Sequence, residues 1–172
     1  MKYSKLKFGI KYDKQLYNSI FTEYDLKIKG RFIQFSFNPN KHKFSIYYDD
    51  QDAENYTYLD GNYSTEIMDR SYKENRAKLS ITESFDRKRS FGIIADIHKR
   101  KNTSSILDDK LHFQREHEDA TISIWYKINN HKFIVSYRTR NTSSPYQWVI
   151  DLKTFKRYIF TYTITFNRIR FD

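Results

Sequence analysis

The sequence predicts an all-β chain, an antiparallel sandwich or barrel built from two similar β-meander halves. Three observations predict it. Apolar and polar residues alternate with a period of two in one segment after another. Tyr, Phe, Ile and Thr, which suit a pleated surface, carry that alternation. One hairpin is written twice, as Phe32–Tyr48 and as Thr121–Tyr137. The alternative is an α+β layout with one short helix per half.

The first strand is predicted where Leu6, Phe8, Ile10 and Tyr12 alternate with polar or small residues. Its counterpart is Ser90–Asp96, where Phe91-Gly92-Ile93 repeats Phe8-Gly9-Ile10. Leu26–Ile28 resembles Leu111–Phe113, so a second strand is expected there and from about Lys110, after a short helical turn at Ser105–Asp109. The hairpin follows. Ile33, Phe35 and Phe37 go out and Phe44, Ile46 and Tyr48 return, matched by Ile122, Ile124, Tyr126 and by Phe133, Val135, Tyr137. One offset aligns all of these positions, as a shared register requires, and they are expected to face inward. Asn38-Pro-Asn-Lys41 and Asn129-Asn130 carry turn residues. Further strands are expected at Asn55–Asp60 and Tyr146–Asp151, weak helical character at Thr65–Arg76, and closing strands at Lys78–Phe85 and Phe160–Phe166.

These correspondences keep their order, at offsets of 83, 86, 85, 89 and 83 residues. The expectation is an internal duplication. Its units are residues 1–87 and 88–172, of five or six strands each, fused into one body because no linker separates them.

Several classes are excluded by what the chain lacks. With no cysteine there is neither a disulfide framework nor a thiolate zinc site. Met1–Ile10 holds no apolar run that could serve as a signal peptide, and no stretch approaches the ~18 apolar residues of a helical membrane span. The expectation is a cytoplasmic, virion or host-intracellular protein with no membrane partner. Four glycines leave no P-loop, Rossmann fingerprint or nucleophile elbow. The chain therefore reads as non-enzymatic, with no catalytic residues, no cofactor and no committed metal site.

Charge points to a partner. Residues 1–86 hold 14 Lys+Arg against 13 Asp+Glu, a net of +1; residues 87–172 hold 17 against 8, a net of +9. The predicted contact set is Arg87, Lys88, Arg89, Lys99, Arg100, Lys101, Arg138, Arg140, Lys153 and Arg157. Trp125, Tyr146, Trp148 and Tyr158 are interleaved with these cations. Cations hold phosphates and rings stack on bases, so the expected partner is nucleic acid or an acidic protein surface. The alternatives are a viral or phage assembly or host-interaction protein, a homo-oligomer through β-edges included, and a metal-dependent nuclease. The lesser metal candidates are Asp50, Asp52 and Glu54, with Asp49 beside them on an expected loop. His112 and His117 flank a further polar stretch, but on a strand they would point to opposite faces.

Overall fold

The computed structural model describes residues 2–16, 25–55, 69–143 and 153–165. They form eight strands: β1 (Lys2–Gln15), β2 (Leu26–Pro39), β3 (His42–Asn55), β4 (Tyr72–Ser84), β5 (Arg89–Asn102), β6 (Glu116–Ile128), β7 (His131–Thr142) and β8 (Phe155–Ile164). Each pairs antiparallel with the next, in one open sheet of order β1 to β8. No β1–β8 pairing occurs among the described residues. All-β is thus what the chain adopts, as one sheet rather than two stacked layers.

The connections differ in length between the two ends of the sheet. At one end the links are short: Asn40-Lys41, residues 85–88 and Asn129-Asn130. Asn40 (φ 57°) and Asn129 (φ 54°) hold the left-handed conformation that Asn tolerates better than most residues. In the link from β4 to β5, Asp86 Oδ1 accepts hydrogen bonds from the amides of Lys88 and Arg89, both at 2.7 Å. At the other end the links are long. Residues 103–115 form turns there, with Asp109 N donating to Ile106 O and Phe113 N to Asp109 O.

Several expectations need correction. No helix occurs among the described residues, so the α+β alternative is not seen there. Lys110–Phe113 is turn rather than strand, because its amides bond locally and β6 starts only at Glu116. Residues 72–76 are strand, paired to both β3 and β5, where weak helical character was expected. The strands expected at 56–60 and 146–151 lie outside the described residues. Each half holds four described strands, and one further expected strand in each falls on residues outside the described set.

The twin hairpins do share a register. Phe37↔Phe44 and Ile33↔Tyr48 correspond to Tyr126↔Phe133 and Ile122↔Tyr137 under one offset. Their flanks do not follow. A strict repeat would pair Gly92 with Thr121, the counterpart of Phe32; it pairs with Trp125, four residues on. It would also pair Phe133 with Ile164, and the partner is Tyr162.

Candidate functional site

Alternation gives the sheet two faces, and they are inverted with respect to a protein in water. One face carries Phe8, Ile33, Ile46, Leu79, Ile93, Ile124, Val135 and Phe160, all exposed, with Phe8 at 82 % and Phe160 at 78 %. The other face carries the charges, and two of them are among the most buried side chains: Asp49 at 6 % and Asp119 at 5 %. These apolar residues were expected to face inward. The register is as expected, but the face expected to be buried is the exposed one.

The apolar residues form a band with defined limits. On β3 it runs from Phe44 to Tyr48 and gives way to Asp50 and Asp52; on β5 it runs from Phe91 to Ile97 and gives way to Lys99 and Lys101. Near the short turns Phe91, Tyr126, Phe133 and Tyr162 make a row of rings across four neighbouring strands, with Phe133 and Tyr162 stacked at 4.9 Å. The band is also oblique. Gly9 is the centre of the β1 apolar run, Leu6–Tyr12. The pairing row from Gly9 passes through Phe32, Asp49, Arg76, His98, Asp119 and Arg140 and ends at Phe155. The β8 run, Tyr158–Ile164, centres on Thr161, six residues further along. Six residues are about 20 Å, gained over seven strand spacings that total about 34 Å, so the strands cross the band at roughly 30° from its perpendicular.

On the opposite face the same row is a belt of ion pairs. Asp49 accepts from Lys11 and from Tyr47 Oη (2.8 Å). Arg76 Nε donates to Asp96 at 2.9 Å. Glu74 accepts from Arg100 Nε at 2.6 Å and from Gln51 at 2.9 Å. Asp119 accepts two bonds from Arg140, at 2.9 and 2.7 Å, and one from Arg138 at 3.4 Å. His98 sits between Glu74 (2.8 Å) and Asp119 (3.6 Å). A groove of about 430 Å³ runs along this belt, lined by Glu74, Asp96, His98, Asp119 and Arg138 among others. Charge-assisted bonds of this kind hold buried ions that would otherwise be costly to desolvate.

The belt ends in a packed corner at the long connections. Leu26, Ile28, Ala53 and Tyr72 are buried together there. The segment 103–115 packs in with them: Asp109 accepts from the Asp69 amide, and its carboxylate lies 3.0 Å from His112 Nδ1. Burial pushes the His112 imidazole below its ordinary range, against the pull of Asp109. Burial also lowers Arg115, helped by the Arg100 and Arg140 cations. Toward the short turns the polar face changes character. Lys5, Lys43, Lys127 and Lys132 stand among serines and threonines, and the described strands carry no carboxylate on this face beyond Asp96.

The sequence-predicted cations are not gathered. Arg87, Lys88 and Arg89 lie at the short-turn end of β5 and Lys99, Arg100 and Lys101 at the other. Lys99 and Lys101 share the exposed face and pair with Glu118 (3.1 Å) and Glu116 (2.6 Å). Arg100 belongs to the belt. Arg138 and Arg140 share one face and meet on Asp119. Lys153 precedes β8, and Arg157 lies 4.7 Å over the Phe155 ring. The acidic stretch is strand rather than loop. Asp50 and Asp52 face the exposed side with Arg31 (3.0 Å) and Lys73 (4.0 Å), Glu54 shares that side, and Asp49 turns to the other. The fold therefore splits the proposed nuclease set.

His98, His117 and Asp119 form a group that sequence reading missed, their ligand atoms within 4.8 Å of one another. It depends on β5 pairing with β6, which places His98 opposite Asp119; residue spacing alone carries no sign of it. The donor types suit a transition metal, but Arg138 and Arg140 already occupy the Asp119 oxygens.

Comparison with protein-family models, curated proteins and solved structures returned no match.

Proposed function

We propose that this chain is the wall of a membrane-spanning β-barrel, with its apolar band against lipid and its ion-pair belt inside. The observation that carries this reading is the inverted sheet: a continuous exposed apolar band backed by buried, mutually neutralised charges. Eight strand spacings and a six-residue run cover roughly 700 Å². That exceeds the few hundred Å² of the largest apolar patch on a typical monomer in water. Bilayer-spanning strands need about 9–11 residues, alternate apolar-out with polar-in, and carry aromatic girdles and unequal connections at the two ends. The slope of the band approaches the ~35–45° tilt of such walls.

No described helix is long and apolar enough to cross a membrane. That criterion, on which the expectation of no membrane partner rested, applies to helices; strands cross by alternation. Under this reading the chain resides in a membrane rather than in the expected cytoplasm.

Spin labels placed singly at Ile122, Ser123 and Ile124 test the reading in the full chain reconstituted into phosphatidylcholine vesicles. Labels at Ile122 and Ile124 should be accessible to oxygen and shielded from a water-borne nickel chelate, and the label at Ser123 should not follow them. A chain that stays folded and monomeric in detergent-free buffer, with water reaching all three labels, would end it.

A second reading, contact of the basic second half with nucleic acid or another polyanion, draws support from Lys127 and Lys132 on the carboxylate-free part of the polar face. Binding to random DNA and RNA should then weaken steeply with added salt; salt-insensitive binding would count against it.

A further inference from the structure

The described sheet has two edge strands, β1 and β8, and a sheet in hydrocarbon cannot keep its edges, since no water is there to satisfy the unpaired backbone groups. Ile10 on β1 is 88 % exposed, and Phe160 on β8 is nearly as open. We infer that β1 and β8 close on each other within one chain, in the register that sets Gly9 opposite Thr161. This rests on the membrane reading above.

The register comes from the slope of the band. Lipid-facing runs on neighbouring strands must lie at one depth. The run centres advance by six residues over the seven observed pairings, so an eighth, equal step at the seam brings the stagger to about seven; the faces admit only an even value, and six, the nearer one, sets Gly9 opposite Thr161. Phe8 then lies opposite Tyr162, Ile10 opposite Phe160 and Tyr12 opposite Tyr158, all on the apolar face. The stagger around the ring is six residues. It is even, so each face meets its own kind; an odd stagger would turn every side chain over. On the polar face the same register brings Asp13 opposite Arg157, an opposite-charge cross-strand pair that the band alignment did not use. Closure by one chain is favoured because eight strands suffice for a barrel whose interior is filled by side chains. The polar face supplies them in the belt and in Phe32 and Trp125.

The chain has no cysteine, so a disulfide can report the seam directly. The full chain carrying Phe8→Cys with Tyr162→Cys, in vesicles at high dilution, is oxidised with copper phenanthroline and run without reductant. An intrachain disulfide should form at least tenfold faster than in Phe8→Cys with Tyr158→Cys, which lies two pleats out of register. Arg157→Asp should slow the reaction, and adding Asp13→Arg should restore it. Disulfides between chains would show that a second copy completes the ring and would overturn the inference. So would equal rates for both pairs, or no disulfide in vesicles whose Ile124 label is shielded from water. That last result would leave the membrane reading standing, because the spin labels report it independently.

Discussion

The two faces of the sheet come from the same strands, turn residues and pairing register, yet they obey opposite rules. On the exposed face, Ile and Phe crowd into a band and charges appear only beyond its limits. On the other face, Asp49, Glu74, Arg76, His98, Asp119 and Arg140 are drawn together and partly buried. The contrast shows that alternation alone does not say which side is the interior. The interior is the side whose polar groups are mutually satisfied. Under the membrane reading proposed above, the exposed band meets lipid.

The strongest way to break the comparison is to put a charge at the middle of the band. Ile124→Arg should cost about 3 kcal/mol in vesicles, as an arginine at the bilayer midplane does. Urea unfolding of vesicle-bound protein measures it, with Ser123→Arg on the opposite face expected to cost less than half as much. Equal costs would mean that the faces do not see different media.

Next comes the belt. Asp119→Asn keeps the shape and removes the carboxylate charge that accepts from both Arg138 and Arg140. A loss of about 2 kcal/mol is expected, the scale of hydrogen bonds to charged groups. Asp50→Asn, on the exposed face against Arg31, should change stability by under about 0.5 kcal/mol. The same unfolding midpoints compare them.

A smaller effect is expected at Gly92. A Cβ there would meet the Trp125 ring at 2.4–2.5 Å, so Gly92→Ala must displace the indole on the polar face. A cost of about 1 kcal/mol is expected from local overpacking. The tryptophan emission should shift with it; unchanged emission would show that the ring does not cover the glycine.

The smallest effect is one of pH. Burial lowers the His112 pKa from its ordinary value of about 6.5, against the pull of Asp109. The unfolded chain therefore takes up a proton first as the pH falls. Stability contributed here is complete above about pH 6.5 and is lost as the pH drops below it. His112→Gln should reduce that slope in urea midpoints between pH 8 and pH 5, the remainder belonging to His117, which burial lowers to about 4. A slope unchanged by the substitution would assign all of it elsewhere.

Much of the sheet was legible from residue order. The alternation at Leu6–Tyr12, the hairpins around Asn40 and Asn129, and the strand at Phe160–Ile164 all follow from local periodicity and turn chemistry. Asp49–Glu54 was read as a loop because carboxylates cluster there. It is strand because the exposed face beyond the band accepts charge and the opposite face offers Lys11 to Asp49. Lys110–Phe113 was read as strand by likeness to Leu26–Ile28, and local hydrogen bonds around Asp109 override the likeness. The duplication was read from offsets; what the structure gives is one pairing register common to the two hairpins. The pairings on either side depart from a strict repeat by four and two residues, because register across separate hairpins is set by long-range packing. Of the candidate site, Arg138 and Arg140 stand two positions apart on one strand, a spacing that puts both on one face. Their shared carboxylate and the His98–His117–Asp119 group depend on pairings between β5, β6 and β7.

The sequence by itself determined where strands run, where they turn, and which residues share a face, because these depend on neighbours a few positions apart. Only the tertiary structure decided that the polar face is the sheltered one and that the apolar band is oblique. Both are sums over eight pairings, and no single strand contains the register to its neighbour.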